Sequence, residues 1–471
     1  MNKLYIIALT GLLIQSASAQ KLDRSKLPKA GPAPVLAFED PLSFKLPNGI
    51  TVFVVENHKL PKVSATLSID AGPRTEGPKA GTLDILGSML LEGTTTKTKV
   101  QFDEAVDQMG AVVKVASSGG SVAALTRYFE PAFLLMADAL RNPSFPQASF
   151  DKIKSQALSN LKSNEVNPSA VSRKMVTALS YGLSHPMGEF ATEKTINSIT
   201  LTDVKNAYKA NITPSRTFIT FVGDIKPDAA KAITMKAFSD WTGIELEFPK
   251  IAKVSNPLKT EIDIVDMPNA VQSEINITNL MDLPLSNPDY HAVLLANEIL
   301  GGGADSKLFR NLREKHGFTY GAYSTVGSGR FQSAFSANAA VRNEKVDSAI
   351  VEFLREIRIM RTEIVNTEVL QGAKNLYNGS FALSLEDPAR TAGFARSIVL
   401  NNLPKDFYRN YLKKINAVTP SDILRVSQKY FSAENTRIVV VGKKDIFISG
   451  LSKLGYSIKI FDTNGQPVGA K

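Results

Sequence analysis

At 471 residues, 43% hydrophobic and 21% charged, the chain is too long for one ordinary core and too apolar for disorder, which suits two or more globular domains. It contains no cysteine, which excludes disulfides, thiolate metal sites and cysteine nucleophiles and leaves burial to hold the fold. The net charge of +10 is scattered without a basic–aromatic stripe; nothing points to nucleic acid, and the excess serves solubility or a preference for acidic peptides or an anionic surface.

Residues 1–19 read as a signal peptide. Lys3 starts it, Leu4 to Leu13 is an apolar run too short to span a bilayer, and Ala17-Ser18-Ala19 is a cleavage site, so the mature chain begins at Gln20. No later run approaches the ~18 apolar residues of a spanning helix. Export without disulfides fits a bacterial periplasm.

The mature chain opens with strands. Leu42 to Leu46 and Ile50 to Val55 flank Pro47-Asn48-Gly49, a hairpin signal, and Val63 to Asp70 is a further strand. Gly77 to Gly81 breaks the chain before a helix predicted over Thr82 to Glu92. Further on, two stretches read alike: ITLTDVKNAYKANITPSRTFITFVGD from Ile199 and VTPSDILRVSQKYFSAENTRIVVVGK from Val418. Asp203 and Asp422 are 219 residues apart, as are Gly223 and Gly442, and Pro168 and Pro388 are 220 apart. A shared offset at three landmarks predicts an internal duplication. Strand-rich and helix-rich runs alternate without a βαβ period, so the expected class is α+β: two homologous α/β halves, each a mainly antiparallel sheet with helices on one face, enclosing a cavity between them. The expected organisation is an N-terminal half over 20–248, a proline-containing linker over 249–258 and a C-terminal half over 259–471.

In the second half, Gly301-Gly302-Gly303 reads as a turn and hinge rather than a phosphate cradle. Asp305 to Ser324 follows as DSKLFRNLREKHGFTYGAYS. Leu308 and Leu312 share a helical face, Lys315-His316-Gly317 stops that helix, and Phe318 to Ser324 forms a strand. From the residues alone, Arg313 is a helix-surface charge and Tyr320 a strand aromatic. The four histidines, His58, His185, His291 and His316, are dispersed, and no Gly-x-Ser-x-Gly, P-loop or dinucleotide fingerprint is present.

This pattern resembles the pitrilysin/insulinase-type zinc peptidases, including mitochondrial processing peptidase, over nearly all of the mature chain. The family carries G-x-x-H-x-x-E-H-M-x-x-x-G-T where this chain reads GTLDILGSMLLEGT; Gly81, Leu86, Met89, Gly93 and Thr94 match. The chemistry does not. Asp84 and Ser88 stand at the two histidine positions and Gly87 at the general base. The third ligand of the family, a glutamate on a later helix, falls near Asn160. Catalytic zinc normally takes three protein ligands, so the resemblance implies no metal on this chain. The Asp305 to Ser324 stretch, by contrast, resembles the family's S-R-L-F-x-x-L-R-E-x-x-G-x-x-Y-S pattern. The matching Arg and Tyr hold substrate in the family, and carried over they are Arg313 and Tyr320. The resemblance therefore implies a chain inactive alone: a substrate-holding subunit that completes the active site of a homologous partner with intact H-x-x-E-H, the zinc residing on that partner. The alternative is a peptide-binding or scaffold protein without a catalytic role. An independent peptidase built on Asp84 is disfavoured because Gly87 leaves no base.

Overall fold

The computed structural model describes residues 41–469; the expected leader and its cleavage site lie outside them. The N-G hairpin forms as expected, β1 (Leu42–Lys45) pairing antiparallel with β2 (Thr51–Glu56). Gly49 takes the positive φ, 98°, that the turn demands. Asn48 donates from Nδ2 to the Phe238 carbonyl at 2.7 Å, tying the turn to the helix Pro227–Phe238. β3 (Lys62–Ile69), β4 (Val112–Ala116), β5 (Gly119–Leu125) and β6 (Thr217–Gly223) complete a six-stranded sheet in the order β1-β2-β6-β3-β5-β4. Only β2 and β6 run parallel.

The second sheet comprises β7 (Glu261–Asp266), β8 (Gln272–Met281), β9 (Thr319–Val326), β10 (Ser333–Arg342), β11 (Arg437–Gly442) and β12 (Ser457–Phe461), ordered β12-β7-β11-β8-β10-β9. Leaving out the edge strands β1 and β12, the five remaining strands of each sheet pair identically: one parallel contact, then three antiparallel ones. The three sequence landmarks occupy matching places. Thr200 and Thr419 each begin a helix, Leu201–Asn211 and Pro420–Tyr430, with a capping box closed by Asp203 and Asp422. Asn167 and Asp387 cap the helices that begin at Pro168 and Pro388. Gly223 ends β6 at a φ of 126°, where a Cβ would lie 2.2 Å from the Lys62 carbonyl oxygen, so no other residue fits.

Each half covers one face of its sheet with its own helices. The other face is covered by a helix from the opposite half. The helix Pro168–Tyr181 lies across β8 and β11, and Pro388–Leu400 lies across β2 and β6. The strand alternation shows why. Ile262, Ile264, Ile438 and Val440 enter the large core of the second half, whereas Val265, Val439 and Val441 pack instead on Val171 and Met175 of the first. The apolar run Ile438–Val441 is thus a strand buried on both sides. A cleft of about 580 Å³ also opens between the halves, lined by Glu165–Ser169 and Asp266–Gln272.

Residues 241–257 carry no regular element and run along the junction. Here Asp70 at the end of β3 meets two arginines. Arg330 of the second half donates from Nη1 to its carboxylate at 2.9 Å and from Nη2 by a second, shorter bond. Arg216 donates from Nε to the Asp70 carbonyl at 2.9 Å and from Nη2 to its carboxylate. Both guanidinium groups lie over Phe248, 4.7 and 4.4 Å from its centroid, and Phe248 stacks on Phe331. Burial pushes the Asp70 pKa up, but the hydrogen bonds from Arg330 and Arg216 outweigh it, and the net shift is downward. His185 stacks on Tyr181 and bonds through Nε2 to the Ala252 carbonyl at 3.1 Å, so it serves the same junction.

One local expectation needs correcting: the helix expected to Glu92 stops at Met89, with Leu90 as its cap. Gly301 sits at a kink in the chain after Asn297, and a Cβ on it would lie 2.3 Å from the Ser324 amide nitrogen, so the glycine lets the bend pack closely against β9.

His291 is 4% exposed, ringed by Tyr290, Phe407 and Tyr411, and its Nε2 has no partner among the described residues. Burial, with the nearby charge of Lys414, lowers its pKa to about 4. The unfolded chain takes up a proton near pH 6.5 and the folded chain does not. Stability is therefore whole above pH 6.5 and falls by about 1.4 kcal/mol per unit on acidification, reaching a loss of roughly 3 kcal/mol near pH 4. In urea unfolding at pH 7 and 4.5, His291→Phe should lose less stability on acidification than the parent. Equal losses would show that this histidine is not the sensitive group.

Candidate functional site

The helix Thr82–Met89 buries Ile85, Leu86 and Met89 and turns Asp84 and Ser88, four residues apart, outward. Its first turn is held by Glu76, whose carboxylate accepts from the Gly81 amide at 2.5 Å and the Leu83 amide at 2.9 Å. Burial pushes the Glu76 pKa up, against the pull of those two bonds, and the charges of Asp84 and Glu189 add to the rise. Facing this helix is Gln147–Glu165, on which Gln156, Asn160 and Asn164 recur every four residues. The two helices enclose a cleft of about 480 Å³ lined by Asp84, Ser88 and Glu92 on one wall and Gln156, Asn160 and Asn164 on the other.

The structure thus brings Asp84, Ser88 and Asn160 together, as the motif alignment expects. Gly87 is elsewhere: it presses on the β4–β5 turn, and a Cβ there would lie 3.1 Å from the Ser117 amide nitrogen. The cleft does not fit catalytic zinc. It offers two carboxylates, Asp84 and a Glu92 that already accepts from the Ser149 hydroxyl at 2.8 Å, a Ser88 hydroxyl engaged with the Asp84 carbonyl at 3.1 Å, and neutral carboxamides, with no histidine and no side chain at Gly87 to act as base. Among the described residues, no three His, Cys, Asp or Glu side chains gather to hold a metal ion.

Arg313 and Tyr320 are built by a different device. Leu308 and Leu312 are fully buried and anchor the segment Lys307–Lys315. This leaves Arg313 on the outer side, its guanidinium 4.9 Å over the Phe309 ring. Gly317, at a φ of 62°, reverses the chain into the edge strand β9. Tyr320 projects from that edge with 84% of its surface exposed, and no hydrogen-bond partner meets its hydroxyl among the described residues. Neither residue lines the Asp84 cleft, whose walls come from residues 81–196. Ser306 occupies an N-cap position without making the cap bond, and Phe318 is half-buried, stacked on His316.

Sequence reasoning missed a larger groove, of about 1080 Å³, between the helix Thr367–Ser384 and the segment Gly303–Lys315. The signal was available: Val369, Leu376 and Leu383 recur every seven residues.

The "Insulinase (Peptidase family M16)" family model matches residues 51–188, and the "Peptidase M16 inactive domain" model matches residues 198–377. Similar proteins include the "uncharacterized zinc protease YmxG" of Bacillus subtilis (strain 168), 24% identical over 72% of this chain and 83% of that protein. An "uncharacterized zinc protease" of Rickettsia felis is 24% identical over 85% and 97%. Among solved structures, a peptidase M16 inactive domain from Pseudomonas fluorescens superposes with a TM-score of 0.76 at 24% identity, covering 86% of this chain and 98% of that one. A protease from Helicobacter pylori gives 0.76 at 20% identity, covering 85% and 99%. These structures share the two-sheet fold.

Proposed function

Since the chain belongs to the peptidase M16 (insulinase) family, we propose that it is the non-catalytic, substrate-holding subunit of an exported, periplasmic heterodimeric metallopeptidase. Its partner is a homologous chain with an intact H-x-x-E-H motif, and the zinc resides there. The observation that carries this reading is the contrast between the two half-sites. The Asp84 cleft carries neither the base nor the nitrogen ligands of the family motif, while Tyr320 stands exposed on an edge strand and the Arg313 guanidinium has no ion pair among the described residues. An exposed tyrosine with an unused hydroxyl is suited to a surface that another chain covers. Among the described residues, no helix is long and apolar enough to cross a membrane.

In this role Arg313 grips peptide carbonyl oxygens with the fixed fork of its guanidinium. The Tyr320 hydroxyl donates to the carbonyl oxygen that gains negative charge as the peptide is attacked. The hydrolytic chemistry itself is supplied by the partner's metal. The test is a peptidase assay of each chain alone and mixed, with and without chelator. Hydrolysis should need both chains and vanish with chelator. Stoichiometric zinc and peptide cleavage by this chain alone would overturn the reading. A complex that binds peptide and never cleaves it would favour the scaffold alternative.

A further inference from the structure

The groove missed in the sequence has two unlike walls. One is the outer face of Thr367–Ser384, where Val369 and Leu376 line the groove and Leu383 continues the same stripe beyond it, each about half exposed or more. Between them, on the same stripe, fall Gly372 and Gly379, and a Cβ at either would meet nothing within 4 Å. Large and absent side chains alternate along four turns, which is a receptor for the knobs of another helix at close approach.

The other wall is basic. Lys307, Arg310, Lys315 and Arg355 line it. Arg310 is paired with Asp305 at 3.0 Å and Arg355 with Glu352 at 3.2 Å. Lys307 and Lys315 have no ion pair among the described residues. Most acids of the groove are already engaged: Asp305 by Arg310, and Glu356 by the Asn311 amide at 2.6 Å. Glu298 has no hydrogen-bond partner among the described residues. Ser306 and Asn311, only 3% and 6% exposed, contribute to the lining, and Ser306 Oγ and Asn311 Oδ1 have no partner among the described residues. Buried polar atoms left without partners beside an open groove mark a place where a ligand or ordered water completes the hydrogen bonding.

We propose that this groove docks an amphipathic helix of a peptide substrate, aliphatic on the face that meets Thr367–Ser384 and acidic on the flank that meets Lys307 and Lys315. The inference rests on the reading that this chain holds peptides, and it names the class: acidic and aliphatic rather than basic. It does not require the zinc-bearing partner. Free lysines opposite an apolar seam favour carboxylates on the occupant, in line with the chain's net charge of +10.

The test uses the full chain alone and fluorescence anisotropy. One probe is a labelled synthetic helix with leucine on one face and glutamate on the flanks; its twin carries lysine on the flanks. The glutamate peptide should bind saturably, and the lysine twin at least about tenfold more weakly. Gly372→Phe, which fills open space, should weaken the glutamate peptide by about tenfold or more. Reversing both Lys307 and Lys315 to Glu should turn the preference towards the lysine twin. Lys315, Gly372 and Leu376 are exposed and Lys307 is partly so, and circular dichroism is the check that each variant folds. No saturable binding, equal binding of the two probes, or binding indifferent to Gly372→Phe would overturn the proposal. So would a dimer, seen by light scattering, that Leu376→Glu dissolves, because a second copy would then own the groove. Groove variants that lose no peptide while Tyr320 still governs activity in the mixture would sink this inference and leave the subunit reading standing.

Discussion

Tyr320→Phe lowers the peptidase rate of the mixed chains by about a hundredfold or more, and Arg313→Ala by a comparable factor. Loss of one donor to a developing oxyanion costs typically about 10²–10³ in rate. The two effects should divide differently. Tyr320 acts where charge develops, so its loss falls on kcat; Arg313 holds peptide before and during the reaction, so its loss also raises KM. Arg313→Lys keeps the charge but not the fork and should recover only part of the rate. Both side chains are exposed and outside the cores, so neither variant should change the unfolding midpoint. A mixture that retains its full rate after both substitutions would remove the reason for the subunit reading.

The second large effect is structural. Asp70→Ala leaves Arg216 and Arg330 facing each other across an emptied junction, both still held over Phe248. Removing the buried acceptor that two cations share costs about 3 kcal/mol, because the guanidinium groups left behind are unpaired and only partly solvated. Urea unfolding should register that loss, and Asp70→Asn should lose somewhat less, since the amide oxygen still accepts. A change below about 1 kcal/mol would place the cluster with ordinary surface pairs.

The duplication was legible because its markers are local. A Thr-x-x-Asp capping box, an N-cap before proline and a strand-ending glycine are each set by neighbouring backbone, so they repeat wherever the half repeats. The Asn48-Gly49 hairpin was legible for the same reason. The helix exchange was not. The unbroken apolar run Ile438–Val441 shows that both faces of a strand are buried, but not that Val171 and Met175 of the other half do the burying. The Asp70–Arg330 contact joins residues 260 positions apart, with no spacing rule to reveal it. At the candidate site, the motif alignment placed Asp84, Ser88 and Asn160 on one cleft but could not show that Gly87 lies against Ser117. The seven-residue stripe on Thr367–Ser384 was visible in the letters, yet a stripe reads as core until the structure leaves it bare.

The closeness of Gly87 to the β4–β5 turn bears on history as well as chemistry. Writing His, Glu and His back at positions 84, 87 and 88 would not reopen the old trade. A side chain at 87 first needs the Ser117 backbone to retreat by a few tenths of an ångström, and position 160 would still lack its acid. No single substitution along that route restores any hydrolysis for selection to favour. On the proposed reading this works as a ratchet: a peptide-holding surface can be refined by single steps, while the power to cut would need several coordinated changes.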